Sequence, residues 1–442
     1  MTGRADPGGS NNTSKHTRWT PRPPDAARCA SIGDDEAVKV ESGETLRPGS
    51  VIELRILDVA HGGHCIGRHE GQVVFVRHSL PGELVRARIQ SAGGGGKFLR
   101  ADVIDVLEPA TGRVSPPCAF AGSCGGCDFQ HADIETQHRL KSTVASAALS
   151  RALGREMTVA VGSVPGDNAG LGWRTRVRLA VDDHGTPGFR GHRSHAVIAV
   201  TDCPIAHPDL RIADVLREKW EGASEVIIET DAMGNRSVSP IPGPWPPVLR
   251  RRAAGRDWEV PSAGFWQVHP GAADVLVDAV RLAIDPKPGE HIVDLYAGVG
   301  LFGGSLAVDV GPTGLVDLVE SGRAAVRAAG HNLADQPQVR VHFGDVASWL
   351  GQHRVKSADI LILDPPRSGA GTAVISRCAT LAPRVICYVA CDPAALARDA
   401  KSLAELGWEL TDVLGFDQFP MTHHVECVAV FRRQSCEDGR SS

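Results

Sequence analysis

From about Pro270 onward the chain alternates short apolar runs with stretches of helical length. The apolar runs stand at His291–Tyr296, Gly314–Glu320, Val339–Gly344, Ala358–Asp364, Arg384–Ala390, Trp408–Leu414 and Val425–Phe431. Strands separated by helices need crossover connections, and these build a mainly parallel sheet. A short loop containing Pro420 joins the last two runs, so the seventh strand is predicted to pair antiparallel. In an open sheet of this kind, residues at the carboxyl ends of neighbouring strands face one crevice. Three reactive side chains stand at such places. Asp364 follows I-L-I-L, Cys391 follows C-Y-V-A, and Glu426 puts a carboxylate between Val425 and Cys427 in the last run. Each alone has an ordinary explanation: a turn residue, a small buried thiol, an edge charge. Together in one domain they predict a site that combines a thiol with two carboxylates.

The first turn of the sheet reads D-L-Y-A-G-V-G-L-F at Asp294–Phe302. Gly298 and Gly300 let the backbone approach a ligand at the start of a helix. The spacing is not G-x-G-x-x-G, which disfavours a dinucleotide. Glu320 ends the second strand, where a carboxylate can accept from two ribose hydroxyls. Asp345 follows the third, within reach of an adenine amine. Gly turn, acid and acid in this order fit an adenosine-bearing cofactor such as S-adenosylmethionine. The predicted fold class is α/β, with a Rossmann-like seven-stranded domain over residues 270–434.

Upstream the pattern differs. Residues 1–45 are rich in Pro, Gly, Ser, Asn and Thr and are predicted to form a disordered tail, as are residues 435–442. Period-two runs at Val51–Val59, Gln72–Arg77, Glu83–Ile89 and Leu99–Leu107 predict a small antiparallel β-barrel over residues 46–109. Barrels of this size often bind single-stranded nucleic acid, and Arg86, Arg88, Lys97 and Arg100 flank its Gly-rich loop. Ordinary solvated strand faces would look the same. Residues 110–269 form a central α+β region. It carries Cys118, Cys124 and Cys127 in the spacing C-x5-C-x2-C, with Cys203 as a fourth candidate. Four thiolates on Gly-rich loops suit zinc or an iron–sulfur cluster, and the spacing leaves both open. Ile134–Leu153 is predicted to be a helix. Arg174, Arg176 and Arg178 alternate along one predicted strand, with Arg190, Arg193 and Arg250–Arg252 beyond; these basic residues suit phosphate or a solvated face.

Composition bounds the function. The net charge of −5 does not favour an RNA partner, so any such role must rest on local basic patches. No apolar run reaches the length of a membrane span and the N-terminus has no apolar signal core, so a cytoplasmic protein is expected. Eleven cysteines in 442 residues are no disulfide scaffold, and in a reducing compartment a cysteine cluster points to metal or catalysis.

At these residues the chain resembles the S-adenosylmethionine-dependent RNA uracil-5-methyltransferases, over about Pro48 to Arg433. It is most similar to the branch with an N-terminal TRAM barrel and a [4Fe-4S] cluster that acts on 23S rRNA. The family's D-P-P-R loop stands here as Asp364–Arg367, its nucleophile loop as Ala390–Pro393 and its H-V-E motif as His424–Glu426. Its F-x-Q-x-N segment stands as Phe265–His269. The resemblance implies Cys391 as nucleophile and Glu426 as base, with Gln267, Tyr296, Glu320, Asp345 and Asp364 lining the cofactor and uracil pocket. It also implies a [4Fe-4S] cluster on Cys118, Cys124, Cys127 and Cys203, an RNA partner (rRNA before tRNA), and a monomer. Three departures bear on positioning: Ala390 and Asp392 replace the Ser and Asn beside the nucleophile, Leu301 stands where a polar residue often contacts the cofactor, and His269 replaces the last Asn.

The chemistry suits the residues themselves. C5 of uracil is a poor nucleophile until a thiolate adds at C6 and makes an enolate, and a base must later remove the C5 proton. A methyltransferase for exocyclic amines would need no cysteine, and Arg367 stands where such enzymes favour an aromatic residue after D-P-P. A non-catalytic RNA-binding homologue is the other alternative, and activity on RNA separates the two.

Overall fold

The computed structural model describes residues 46–244, 248–262, 264–352 and 355–434. The tails expected at residues 1–45 and 435–442 lie outside the described residues.

The first module is a closed barrel of β1 (Val51–Ala60), β2 (His64–His69), β3 (Gln72–Arg77), β4 (Leu84–Gly93) and β5 (Phe98–Glu108), in the order β1-β2-β3-β5-β4. Alternate residues such as Ile52, Leu54, Ile56, Val85, Ala87 and Ile89 fill its interior, which is the period-two pattern realised. Two details differ from expectation. β2, whose H-C-I-G-R-H sequence has no clean alternation, supplies a fifth strand. β3 and β5 run parallel, because β4 pairs with β1 and β5 and closure then sets β5 beside β3.

The helix α1 (Ile134–Leu153) follows, over the predicted range. Asp133 caps it by accepting from the Thr136 N–H, and Gly154 ends it in the left-handed conformation. Its buried residues Gln137, Leu140, Lys141, Ala145 and Leu149 recur at helical spacing. Next come β6 (Ala160–Ser163), β7 (Arg176–Val181), β8 (Pro187–Arg190), β9 (Val197–Ile198), α2 (Ile212–Arg217), β10 (Glu225–Thr230) and β11 (Arg236–Ile241). β11-β10-β7-β8-β9 is a five-stranded sheet, and β12 (Val248–Ala253) with β13 (Arg256–Pro261) is a separate hairpin.

The last module contains α3 (Ala272–Ile284), β14 (His291–Leu295), α4 (Leu301–Val310), β15 (Leu315–Glu320), α5 (Arg323–Asn332), β16 (Val339–Phe343) and α6 (Val346–Gly351). It continues with β17 (Ile360–Leu363), α7 (Thr372–Thr380), β18 (Val385–Ala390), α8 (Pro393–Glu405), β19 (Trp408–Asp417) and β20 (Glu426–Arg433). The seven predicted strands are present, and β20 pairs antiparallel with both β18 and β19. An eighth was not expected. β6 lies parallel to β19 and gives the order β16-β15-β14-β17-β18-β20-β19-β6. Its sequence A-V-G-S is too short and small to read as a strand; the pairing edge of β19 makes it one.

Both sheet faces are buried. Ile292, Ile360, Ile362, Val385 and Val389 pack with Leu276, Phe302 and Leu306 of α3 and α4. Leu295, Leu361, Leu363 and Ile386 pack with Leu149, Ile375, Leu396 and Leu403 of α1, α7 and α8. Strands covered on both sides are continuously apolar, so polar residues collect at their ends. No helix among the described residues is long and apolar enough to cross a membrane.

Candidate active site

The carboxyl ends of β14, β15, β17 and β18 open on one side of the sheet, and the site is built from the turns that follow them. After β14, Tyr296 adopts a left-handed conformation with φ of 65°, and Gly298 and Gly300 follow at 57° and 92°. A side chain on Gly300 would strike Leu333 and Leu318, whereas one on Gly298 would meet nothing within 4 Å. Gly300 thus serves packing, and Gly298 leaves backbone open to a ligand. Glu320 at the end of β15 accepts from the Gly298 N–H at 3.0 Å and also from the Gly322 N–H, so it ties the Gly turn to its neighbour. Asp345, past the end of β16, is exposed and caps α6 by accepting from the Ser348 N–H at 2.9 Å.

The reacting groups gather one strand further on. Asp364 follows β17, Cys391 follows β18, and Glu426 opens β20, where Cys427 pairs with Ala390 beside the nucleophile. Burial pushes the Cys391 thiol up to about 11, Glu426 adds to this, and Arg367 works against it. Burial lifts Asp364 to about 7. Burial and then the Asp364 charge push Glu426 well above the usual carboxylate range, against Gln418 and Arg367. Two carboxyls this close do not ionise together easily. Arg367 of the D-P-P-R turn is exposed and bonds to His424 at 3.3 Å.

The departures around the nucleophile have structural explanations. Ala390 is buried as the last residue of β18. Asp392 caps α8 by accepting from the Ala395 N–H at 2.8 Å, and its other oxygen meets Nε2 of His61 at 3.1 Å. His61 lies in the β1–β2 turn, so the barrel touches the residue next to Cys391. The His61 bond comes first in holding Asp392 down to about 2. Leu301 packs into the core, and buried His269 stacks on Trp173 with ring centroids 6.1 Å apart. Gln267 is buried on the segment between β13 and α3, and none of the interactions just described reaches it.

Several contributing residues carried no sequence signal. Asp294 at the end of β14 is buried, accepts from the Gly303 N–H at 2.8 Å, and is raised to about 7 by burial. Gln418 donates from Nε2 to Glu426 Oε2 at 2.6 Å. Asp128 accepts from His423 Nδ1 at 2.6 Å and from the His423 N–H at 3.1 Å, and so joins the cysteine loop to the H-H-V-E segment.

The four cysteines Cys118, Cys124, Cys127 and Cys203 line one small cavity with Phe120, Arg174 and Gln130. Burial raises Cys127 to about 12 and Cys203 to about 11, with Arg174 opposing. Among the described residues no group of His, Cys, Asp or Glu is drawn together into a formed metal site. The arginine strand has acidic partners that its sequence did not show. Arg176 pairs with Glu229 at 3.2 Å and Arg178 with Glu225 at 3.0 Å, both on β10, while Arg174 faces the cysteine cavity. Arg251 is buried against Glu229 and the Thr230 carbonyl. Arg176, Arg178 and Arg251 thus meet carboxylates that lie far off in sequence and were invisible there.

Fold and site together define a methyltransferase: a Rossmann-like sheet with a Gly turn and acid for a cofactor, a thiol beside two carboxyls, and a barrel in front. Residues 46–104 match the TRAM domain, and residues 350–434 match the tRNA (Uracil-5-)-methyltransferase family. An uncharacterized RNA methyltransferase of Streptomyces coelicolor is 42% identical, over 86% of this chain and 93% of its own. One of Bifidobacterium longum is 34% identical, over 86% and 96%. The crystal structure of Pyrococcus abyssi tRNA (uracil-54, C5)-methyltransferase with S-adenosyl-L-homocysteine superposes with a TM-score of 0.64. It is 23% identical and covers 86% of this chain and 99% of its own, a likeness of fold. The chain belongs to the RNA uracil-5-methyltransferase family.

Proposed function

We propose that this protein transfers a methyl group from S-adenosylmethionine to C5 of a uridine in RNA, through a covalent bond between Cys391 and C6. The single observation that carries the reading is the grouping of Cys391, Glu426 and Asp364 at adjoining strand ends, all three perturbed by burial and the first two also by their neighbours. Perturbed ionisable groups in a cleft mark sites of chemistry.

S-adenosylmethionine supplies an electrophilic methyl group when bound. The open backbone at Gly298, with Glu320 and Tyr296, fits its adenosine half, and Gly300 packs the turn from behind; Gln267, Asp345 and Asp364 complete the pocket in this reading. Cys391 gives up its thiol proton to solvent, its Sγ thiolate adds to C6 of uracil, and the C5–C6 π electrons move into an enolate ending on O4. Asp364, raised to about 7 by burial, can in its protonated form donate a hydrogen bond where that charge develops. The enolate electrons then form the bond from C5 to the methyl carbon as the methyl–sulfur bond breaks, its electron pair staying on the departing sulfur. Glu426 accepts the C5 proton, the C5–H electrons re-form the double bond, and the C6–S bond breaks to return the thiolate. The uridine must be unstacked to enter.

Cys118, Cys124, Cys127 and Cys203 would hold a [4Fe-4S] cluster. Four half-buried thiols round one cavity, with Arg174 beside it favouring the thiolates of Cys124, Cys127 and Cys203, fit such a tetrathiolate group. The resemblance to the family branch that has both barrel and cluster favours 23S rRNA as substrate. A tRNA substrate is the second reading, favoured by the matched family and by the Pyrococcus abyssi enzyme. Mass spectrometry of rRNA and tRNA from cells with and without the gene separates them. RNA containing 5-fluorouridine should trap the protein in a denaturation-resistant complex, since fluorine does not leave as a proton. A trap that forms equally with Cys391→Ala overturns the mechanism.

A further inference from the structure

We infer that Gln418 is the positioning residue that aims the base Glu426 and favours its carboxylate form by donating to it, and that the buried Lys141–Asp417 pair fixes Gln418 in place. The inference rests on the reading of Glu426 as the base. Gln418 is 1% exposed and Glu426 3% exposed, so neither finds water to share. The only polar hydrogens on a glutamine are amide N–H groups, and Gln418 presents one to Glu426 Oε2 at 2.6 Å. Donation to a carboxylate favours its charged form, while burial and Asp364 favour the neutral form. Arg367 helps from the exposed side, where it also bonds His424. Gln418 acts from inside.

The surrounding chain explains why Gln418 stays there. Lys141 on α1 sends its ammonium to Asp417 Oδ1 at 2.6 Å and to the Phe419 carbonyl at 3.1 Å, the residues on either side of Gln418. Both charged side chains of that pair are fully buried. Four residues earlier on α1, Gln137 Oε1 accepts from the Met421 N–H at 2.7 Å. The other groups facing this pair are His138, 3.4 Å from Asp417, and Asp128. A buried ion pair of this kind is weak evidence for stability, but it fixes geometry. Gln418 Oε1 has no hydrogen-bond partner among the described residues, so the side chain is held by its neighbours and by Glu426 alone.

The test uses the full-length protein, tritiated-methyl S-adenosylmethionine and a mixture of 23S rRNA and tRNA transcripts. Formation of the methylated covalent adduct and its release are timed separately across pH. Gln418→Met keeps the volume and loses the donor. We expect unchanged adduct formation and release slowed by about tenfold or more near neutral pH, the scale of a hydrogen bond to a charged group. Release should recover as pH rises, because a base with a raised pKa ionises later. Gln418→Glu should shift release in the same direction and further. Release at the wild-type rate in both variants, or a loss that higher pH does not restore, overturns the inference. Glu426→Gln is the control for the underlying reading: if it accumulates no methylated adduct, that reading fails, whatever Gln418 does.

Discussion

Cys391 lies between groups that oppose its ionisation and one that favours it. With its thiol near 11, it is protonated in the free protein, and its reactivity should climb with pH well beyond the ordinary cysteine range. Alkylation by iodoacetamide, followed at the Cys391 peptide by mass spectrometry, should show that late inflection. Glu426→Gln removes the second cause after burial, so its inflection should fall to lower pH. An inflection unmoved by that substitution would separate the two groups. The three reactive residues were legible in the sequence because each is a polar interruption at the end of an apolar strand. Gln418 was not. It stands eight residues before Glu426, and their meeting depends on the β19–β20 register that pairs Phe416 with Glu426. Asp294 likewise reads as a plain strand-end acid until the Gly303 N–H is seen bonded to it.

At the scale of elements, α1 links regions that the sequence separates. Its apolar face packs against α8 and β19, and its Lys141 enters the fully buried pair with Asp417. Lys141→Met should destabilise the protein by about 3–5 kcal/mol, since it strands a buried carboxylate. The double variant Lys141→Met with Asp417→Leu should recover much of that loss in urea unfolding. It should nonetheless keep the slow release expected of a misplaced Gln418, which separates stability from positioning. The helix was legible to the residue from its apolar period, while the Asp133 cap emerged with the structure. Its partner strand β19 was also legible, but their contact was not, because Lys141 reads as a solvated cation until its carboxylate is found 276 residues away. The arginines of β7 failed in the opposite way: they read as a free patch and proved to be paired across β10.

At the scale of the whole molecule, RNA must be held by cations that no carboxylate has claimed. Arg88 and Lys97 on the barrel are exposed, and Arg100 lies over the Phe98 ring at 4.8 Å, with Phe75 edge-on to Phe98. An arginine and two rings make a platform for unpaired bases. Replacing Arg88, Lys97 and Arg100 by Ala should weaken RNA binding and lower its salt dependence by about one unit of slope per lost phosphate contact. Replacing Arg176 and Arg178 should leave the slope unchanged. Anaerobically purified protein should be brown with about four irons per chain, and stoichiometric zinc without iron would sink the cluster assignment. The barrel, the sheet and their order along the chain were legible from periodicity alone; β6 was not, because four small residues acquire strand character only from the edge they join. That added strand has a consequence for how the protein comes apart. The chain lays α1 and β6 onto the catalytic sheet, leaves to build a sheet and a hairpin, and returns at α3 to make the rest. A protease that cuts among β7–β13 would therefore release no catalytic domain. The two pieces would remain clasped through the β6–β19 ladder and the Lys141–Asp417 pair, and the nicked protein would travel as one particle until denaturant pulled it apart.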